Sequence, residues 1–388
     1  MGLNPAAIIA FGFILAQAQT QDCGQPPRTE TPAPAPPVAT QPPGAVITTQ
    51  DGARVEVQVV VTNLDVPWSM AFAPDGRLFV TERPGRVRIL NIAGGTSELA
   101  LTLDDTFAQG EAGALGLALD PDFASSRFVY LYYTARAGNG AVNRVVRYRE
   151  VGGRLGERIV LLDDIPAETI HDGGRIRFGP DGLLYISTGD ASSMPLAQSL
   201  GSLAGKILRL NGDGTSPGGN PFGSPVYSYG HRNPQGFDWH PVTGELWASE
   251  HGPTGNDEIN LVRAGANYGW PVIQANQTMA GMVTPITFFD TAIAPSGASF
   301  ARGRAVPQFE NNLFVAALRG THLLRLRVDA AASGRILSQE RLLDGRFGRI
   351  RDVVSAPDGF LYFSTNNRDG RGSPGASDDL IARIIPAP

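Results

Sequence analysis

The sequence predicts an all-β chain folded as a six-bladed β-propeller with four-stranded antiparallel blades. Three observations carry this expectation. A proline-turn phrase recurs six times, its copies are spaced by roughly the length of four short strands with their turns, and the 388 residues include 47 Gly and 30 Pro but only 18% charged residues. That composition suits many short strands joined by tight turns better than a helical bundle.

The strongest copies of the phrase run Ala73-Pro-Asp-Gly-Arg-Leu-Phe-Val80, Gly179-Pro-Asp-Gly-Leu-Leu-Tyr-Ile186 and Ala356-Pro-Asp-Gly-Phe-Leu-Tyr-Phe363. Weaker copies begin at Asp120-Pro121, His240-Pro241 and Val306-Pro307. The six prolines, at 74, 121, 180, 241, 307 and 357, are 47, 59, 61, 66 and 50 residues apart. Proline presets φ at the second position of a turn and Asp-Gly tolerates positive φ, so each copy reverses the chain into a β-branched or aromatic run. Six such hairpin markers imply six blades around an axis, which leaves only short, protected sheet edges. A sandwich would space its turns more closely and more evenly.

At the N-terminus, an apolar stretch from Pro5 to Ala16 precedes Ala16-Gln17-Ala18, a small-x-small cleavage pattern. Residues 1–18 are therefore read as a signal peptide, too short for a membrane span, and the protein as periplasmic or secreted. Residues 19–44, rich in Pro, Ala, Gln and Thr, cannot bury a core and are read as a linker. The propeller then occupies 45–388. Cys23 is the only cysteine, so no internal disulfide forms, and Thr20-Gln21-Asp22 before it is a poor lipoprotein signal. A net charge of −5 without a long Lys/Arg run offers no footprint for nucleic acid or anionic lipid, and points to a small-molecule partner.

The chemistry must come from loops gathered at one mouth of the propeller. Of five histidines, His171 and His231 lie in Gly-rich polar turns and are the candidate bases. Asp190, at the end of the strand that follows His171, is the natural partner, because a carboxylate orients an imidazole and raises its basicity. Arg232, Arg319, Arg349 and Arg351 sit beside glycines or at strand starts, where guanidinium forks suit carboxylate or carbonyl oxygens. Arg349 and Arg351 alternate along a strand and would share a face. In Gly252-Pro-Thr-Gly-Asn-Asp-Glu258, free carbonyls around Pro253 and the carboxylates of Asp257 and Glu258 form a hard-oxygen set that favours calcium.

With these segments in view, the sequence from about Leu64 to Ile385 resembles the pyrroloquinoline-quinone-dependent soluble glucose and aldose sugar dehydrogenases. The most specific phrases are Gly230-His-Arg-Asn-Pro-Gln-Gly236, Ser249-Glu-His-Gly-Pro253 with Asp257-Glu-Ile-Asn-Leu261, Asn267-Tyr-Gly-Trp-Pro271 and Arg349-Ile-Arg-Asp-Val353. The resemblance implies a six-bladed propeller that oxidises aldose sugars at the anomeric carbon to the lactone, passing electrons to an external acceptor. It implies His171 as general base, taking the anomeric proton while hydride passes to the quinone, with Asp190 orienting it. Arg232 would stabilise charge on the quinone oxygen, Asn233 would bond nearby, and Arg319, Arg349 and Arg351 would grip the cofactor. The carbonyls of Gly252 and Pro253 would hold a cofactor-bridging calcium. Asp257, Glu258 and the Tyr268 carbonyl resemble ligands of a second, structural calcium. Glu111 stands where glucose-specialised members carry Gln, and the loop from Asn267 to Phe300 lacks their extra aromatic residue. Both departures point to the broader aldose-oxidising branch, with Glu111 as a sugar or cofactor contact.

Two other readings use the same fold: a non-catalytic extracellular binding propeller, and a calcium-dependent lactonase-type hydrolase. The retained base and cofactor groups argue against the first. The second needs several carboxylates at the channel centre, where the candidates here are mostly arginines.

Overall fold

A computed structural model describes residues 46–388, together with Met1, Gly2 and Gly44. Apart from those three residues, the expected signal peptide (1–18) and linker (19–44), with Cys23, lie outside the described residues. Within them the chain is a six-bladed β-propeller made almost wholly of antiparallel strands. Five blades are four-stranded sheets and the sixth has five strands. The first strands of blades 1 to 6 are Pro67–Phe72, Ala114–Leu119, Ile176–Phe178, Pro234–Trp239, Pro295–Phe300 and Ile350–Ser355. They lie side by side around the axis. The second strands are Leu78–Glu82, Phe128–Ala137, Leu184–Thr188, Leu246–Glu250, Leu313–Ala317 and Leu361–Thr365.

All six recurring prolines fall between the first and second strands of their blades, at one end of the axis. Because the strands alternate in direction, the connections into each first strand and out of each second strand open at the other end.

The second strands read as continuous apolar runs because successive side chains point to opposite faces and both faces are covered by a neighbouring blade. In blade 1, Phe79 packs toward blade 2 with Val129 and Leu131, while Val80 packs toward blade 6 with Val354 and Tyr362. In blade 3, Ile186 joins Tyr130 and Tyr132 of blade 2, and Tyr185 joins Phe237 and Ala248 of blade 4. Trp247 with Val315, and Phe314 with Phe363, fill the interfaces of blades 4–5 and 5–6. The core is thus six apolar wedges between blades.

Closure comes from the N-terminal side of the propeller. Arg54–Val61 pairs with Ile381–Pro386, from Val55 opposite Pro386 to Val61 opposite Ile381, and so completes blade 6. The short strand Ile47–Thr48 adds the fifth strand of that sheet.

Along the axis, close packing leaves no room for side chains at some positions. A Cβ on Gly236 would lie 2.0 Å from the Ser296 carbonyl of the next blade. Five of the six first strands also carry a register shift near their starting end, next to the mouth away from the prolines. Bulges there turn side chains out of the regular pleat and into the channel.

Candidate active site

Most candidate residues converge at the mouth opposite the proline turns, on loops that enter first strands or leave second strands. His171 precedes the first strand of blade 3 and adopts a left-handed φ of 66°. Its carbonyl would lie 1.8 Å from a Cβ on Gly189, so only glycine lets the end of the second strand bring Asp190 up to it. His171 Nδ1 lies 2.8 Å from Asp190 Oδ1. An ionised carboxylate only accepts, so the proton sits on Nδ1 and Nε2 keeps its lone pair. Nε2 has no hydrogen-bond partner among the described residues, and the side chain is 15% exposed. Asp190 is fully buried, with Oδ1 also accepting from the Ser192 N–H at 2.9 Å and Oδ2 from the Trp270 indole at 2.8 Å. The arrangement is a carboxylate-oriented imidazole with a free nitrogen at the mouth, the geometry a general base requires.

The other candidate base is occupied. His231 is fully buried, with Nδ1 2.9 Å from Glu250 Oε2, Nε2 2.9 Å from Ser228 Oγ, and its ring stacked 4.6 Å from that of Tyr268. Both nitrogens are engaged, so His231 braces the site.

Around the dyad lie donors without acceptors. Arg232 Nη1 donates to the His251 carbonyl at 3.1 Å, and its guanidinium is 5.3 Å from the Trp270 ring centre. Its Nε is buried without a partner, and burial lowers the pKa of the guanidinium. Asn233 accepts the Gly173 N–H at 3.0 Å through Oδ1, while its Nδ2 is buried and unpaired. Arg351 donates to Gln235 at 2.7 Å and Ser296 at 3.1 Å, leaving Nε unpaired, and full burial pulls its pKa down to about 9. Unpaired buried donors of this kind are costly, and a bound anion would relieve them.

Arg349 and Arg351 do not act as one fork. A register shift lies between Ile350 and Asp352, and Arg349 pairs instead with Asp369 at 2.8 Å. Arg319 is exposed at its turn, without a polar side-chain partner among the described residues. Glu111 approaches the His171 N–H at 3.4 Å and pairs with Arg371 at 2.6 Å. Although burial opposes it, its coupling to His251 and the positive charges of Arg371 and Arg351 hold the Glu111 carboxyl at about 2, so it stays ionised.

The metal candidates are brought together except for Asp257. A cavity of about 10 Å³, room for a single water or ion, touches Gly252, Pro253, Glu250, Glu258, Tyr268 and Gln274. The carbonyls of Gly252, Pro253 and Tyr268 accept no hydrogen bond from the described residues. Glu250 and Glu258 are directly opposed on paired strands, and burial together with this repulsion pushes Glu258 up to about 7. Gln274 Oε1 and Asn260 Oδ1 are buried without donors. Asp257 lies outside the cavity lining, its carboxylate filled by the N–H groups of Gly252 (2.8 Å), Ile293 (2.7 Å) and Ala294 (2.8 Å). Among the described residues no three His, Cys, Asp or Glu side chains cluster as a metal cage, so a cation here would rely on carbonyl and amide oxygens as well.

Arg83, Trp270 and Glu250 are site residues that sequence reasoning passed over. Arg83 follows the second strand of blade 1, as Asp190, His251 and Arg319 closely follow those of blades 3, 4 and 5. Aligning the repeats in register would have found it. A wide cavity, about 1050 Å³, opens at the proline-turn end. Its Arg177 and Arg302 are both paired with Asp238, at 2.9 and 2.6 Å, and among the described residues it has no counterpart of the His171–Asp190 pair, which marks the opposite mouth as the candidate site. No helix among the described residues is long and apolar enough to cross a membrane.

Comparison with known proteins agrees with this architecture. Aldose sugar dehydrogenase YliI of Escherichia coli is 34% identical over 347 residues, covering 82% of this chain and 92% of that protein. Quinoprotein glucose dehydrogenase B of Acinetobacter calcoaceticus is 27% identical, covering 85% and 89%. The PQQ-bound aldose sugar dehydrogenase of Streptomyces coelicolor superposes with a TM-score of 0.77 at 38% identity, covering 86% of this chain and 98% of that one. The family profile described as glucose/sorbosone dehydrogenase matches residues 64–381, nearly the whole propeller and every candidate site residue, and the chain therefore belongs to that family of sugar-oxidising oxidoreductases.

Proposed function

We propose that the protein oxidises aldose sugars at the anomeric carbon, with pyrroloquinoline quinone as cofactor, calcium beside it, and an external electron acceptor. The observation that carries this reading is the free Nε2 of a carboxylate-oriented His171 next to buried, unpaired donors on Arg232, Asn233 and Arg351. A planar quinone bearing carboxylates and carbonyl oxygens fits that donor set, whose buried N–H groups lack acceptors. Arg232, Asn233 and Arg351 would hold it, with Arg349 and Arg319 at the rim. Bound there, pyrroloquinoline quinone supplies the two-electron acceptor for the C1 hydride, so that the aldose leaves as its lactone. His171 Nε2 takes the proton of the anomeric hydroxyl, and Asp190 stabilises the resulting imidazolium. Arg232 offers a preorganised positive charge where negative charge develops. Glu111, ionised beside the His171 backbone, accepts hydrogen bonds from sugar hydroxyls. The expected export of the chain would place this reaction in the periplasm or outside the cell.

Adding pyrroloquinoline quinone and calcium to the apoprotein, and following dye reduction across several aldoses, tests the proposal. Aldose-dependent reduction is expected, and none with any aldose would exclude it. Joint replacement of Arg349 and Arg351 by alanine is expected to weaken cofactor reconstitution at least tenfold, since charge-assisted hydrogen bonds are the stronger kind. Arg351→Ala alone should account for most of that loss, because Arg349 is already paired with Asp369. A fluorescence titration of the double variant and of Arg351→Ala with the quinone separates the two arginines.

The hard oxygens around the small cavity fit calcium. Calcium is expected to raise the melting temperature of the apoprotein, because an ion that binds only the native state stabilises it by mass action. Glu258→Gln should abolish the response in scanning calorimetry. A full calcium response in that variant would exclude Glu258 as a ligand.

A further inference from the structure

Trp270 reaches the mouth by a route that leaves its own blade. The third strand of blade 4, Asp257–Val262, is followed by a long connection that runs beside the last strand of blade 3, Val226–Tyr229. The Gly265 N–H donates to the Tyr227 carbonyl at 2.7 Å, Tyr229 N–H to Ala266 at 3.1 Å, Tyr268 N–H to Tyr229 at 2.8 Å, and Trp270 N–H to Gly230 at 2.9 Å. Gln198 Nε2 pins the Trp270 carbonyl at 2.7 Å. The indole is 9% exposed.

At the end of this run one side chain touches two different parts of the site. Among the described residues its Nε1–H is the only donor to Asp190 Oδ2, whereas Oδ1 is shared by His171 and Ser192. Its ring face carries the Arg232 guanidinium. Rotation of a carboxylate about its last torsion is soft, so Asp190 needs a bond at each oxygen to hold the plane in which it meets His171. A single side chain thus sets its polar edge on the buried Asp190 carboxylate and its face under the half-buried Arg232 guanidinium.

We infer that Trp270 is a positioning residue that sets the base and the anion-stabilising arginine relative to each other, a role that rests on the reaction proposed above. Trp270→Phe keeps a ring face for Arg232, though a weaker cation–π partner, and removes the N–H together with the second ring.

The first arm of the test uses the apoprotein. The imidazole Nδ1–H of His171, assigned by its loss in His171→Gln, should give a protected downfield proton resonance in the wild type. In Trp270→Phe it should broaden, with at least tenfold faster exchange, at an unchanged circular dichroism spectrum. The second arm uses the reconstituted enzyme, where kcat should fall roughly ten- to a hundredfold, the range expected for a misplaced catalytic group, with KM and quinone affinity within twofold. A wild-type Nδ1–H signal in folded Trp270→Phe overturns the inference. Should Trp270→Phe not fold, Gln198→Ala loosens the same residue from its backbone, and an unchanged Nδ1–H signal there overturns it equally. A wild type without sugar oxidation would remove the proposed activity, while the apoprotein arm would still decide whether Trp270 positions the dyad.

Discussion

His171→Ala is expected to lower the maximal rate of aldose oxidation by about 10²–10⁴-fold, the usual contribution of a general base, while quinone affinity changes less than twofold. The split follows from geometry. Among the described residues the His171 side chain bonds only to Asp190, so its removal breaks no bond to the groups that would hold the quinone. The unpaired donors sit on Arg232, Asn233 and Arg351, which the substitution leaves in place. Asp190→Asn should lose rate as well, because an amide at that position can present its NH2 to Nδ1 and favour the wrong imidazole tautomer. Stopped-flow reduction at saturating sugar, with a separate quinone titration, reads the two quantities apart. Near-normal turnover in His171→Ala would transfer the base to another group. His231 is not available for that role, since both of its nitrogens are engaged.

The largest stability effect is expected on the axis. Arg175 and Asp352 are both fully buried and meet at 3.1 Å between blades 3 and 6. Arg175 also donates to Ser69 and to the Gln235 carbonyl, each at 3.0 Å, and stacks 4.4 Å from the Trp68 ring centre. Asp352 accepts the Met70 N–H at 2.9 Å. A side chain at Gly297 of blade 5 would collide with it, so five blades meet around this one pair. Removing one partner of a buried ion pair leaves the other charged and uncompensated, at a cost of about 3–5 kcal/mol. Asp352→Ala should therefore lower the melting temperature by several degrees, and Asp352→Asn by less, because the amide still offers an oxygen. Equal melting curves for wild type and Asp352→Ala would show that solvent reaches Arg175 and satisfies it.

The blade count was legible because it rests on turn chemistry, which is local: reversing the chain in four residues needs Pro and Gly, and they recur. His171 and Asp190 were legible as a pair because a turn phrase lies between them, and the hairpin it makes, Ile176–Phe178 with Leu184–Thr188, returns the chain to the same end of the sheet. Arg349 and Arg351 misled as a pair, because strict alternation assumes a regular pleat and the register shift at Ile350 breaks it. The bond between Trp270 and Asp190 crosses from one blade to another, and no local pattern announces it. The opposed Glu250 and Glu258 were hidden for a similar reason, since the pairing register of two strands sets their proximity. Asp257 shows the converse limit. Its residue type suits a cation, but three backbone N–H groups take its carboxylate first.

Blade 6 joins the two ends of the propeller, and the direction of that pairing decides how the ring responds to force. Val55 lies opposite Pro386, whereas Val61 lies opposite Ile381, so the outer ends of the two strands are side by side. A pull applied between the chain's ends, once it has stripped the two-residue strand Ile47–Thr48, loads the first hydrogen bond of the ladder alone and then the next. The clasp would open like a zipper rather than resist in shear, and it would leave five four-stranded blades and a three-stranded sixth as an open arc.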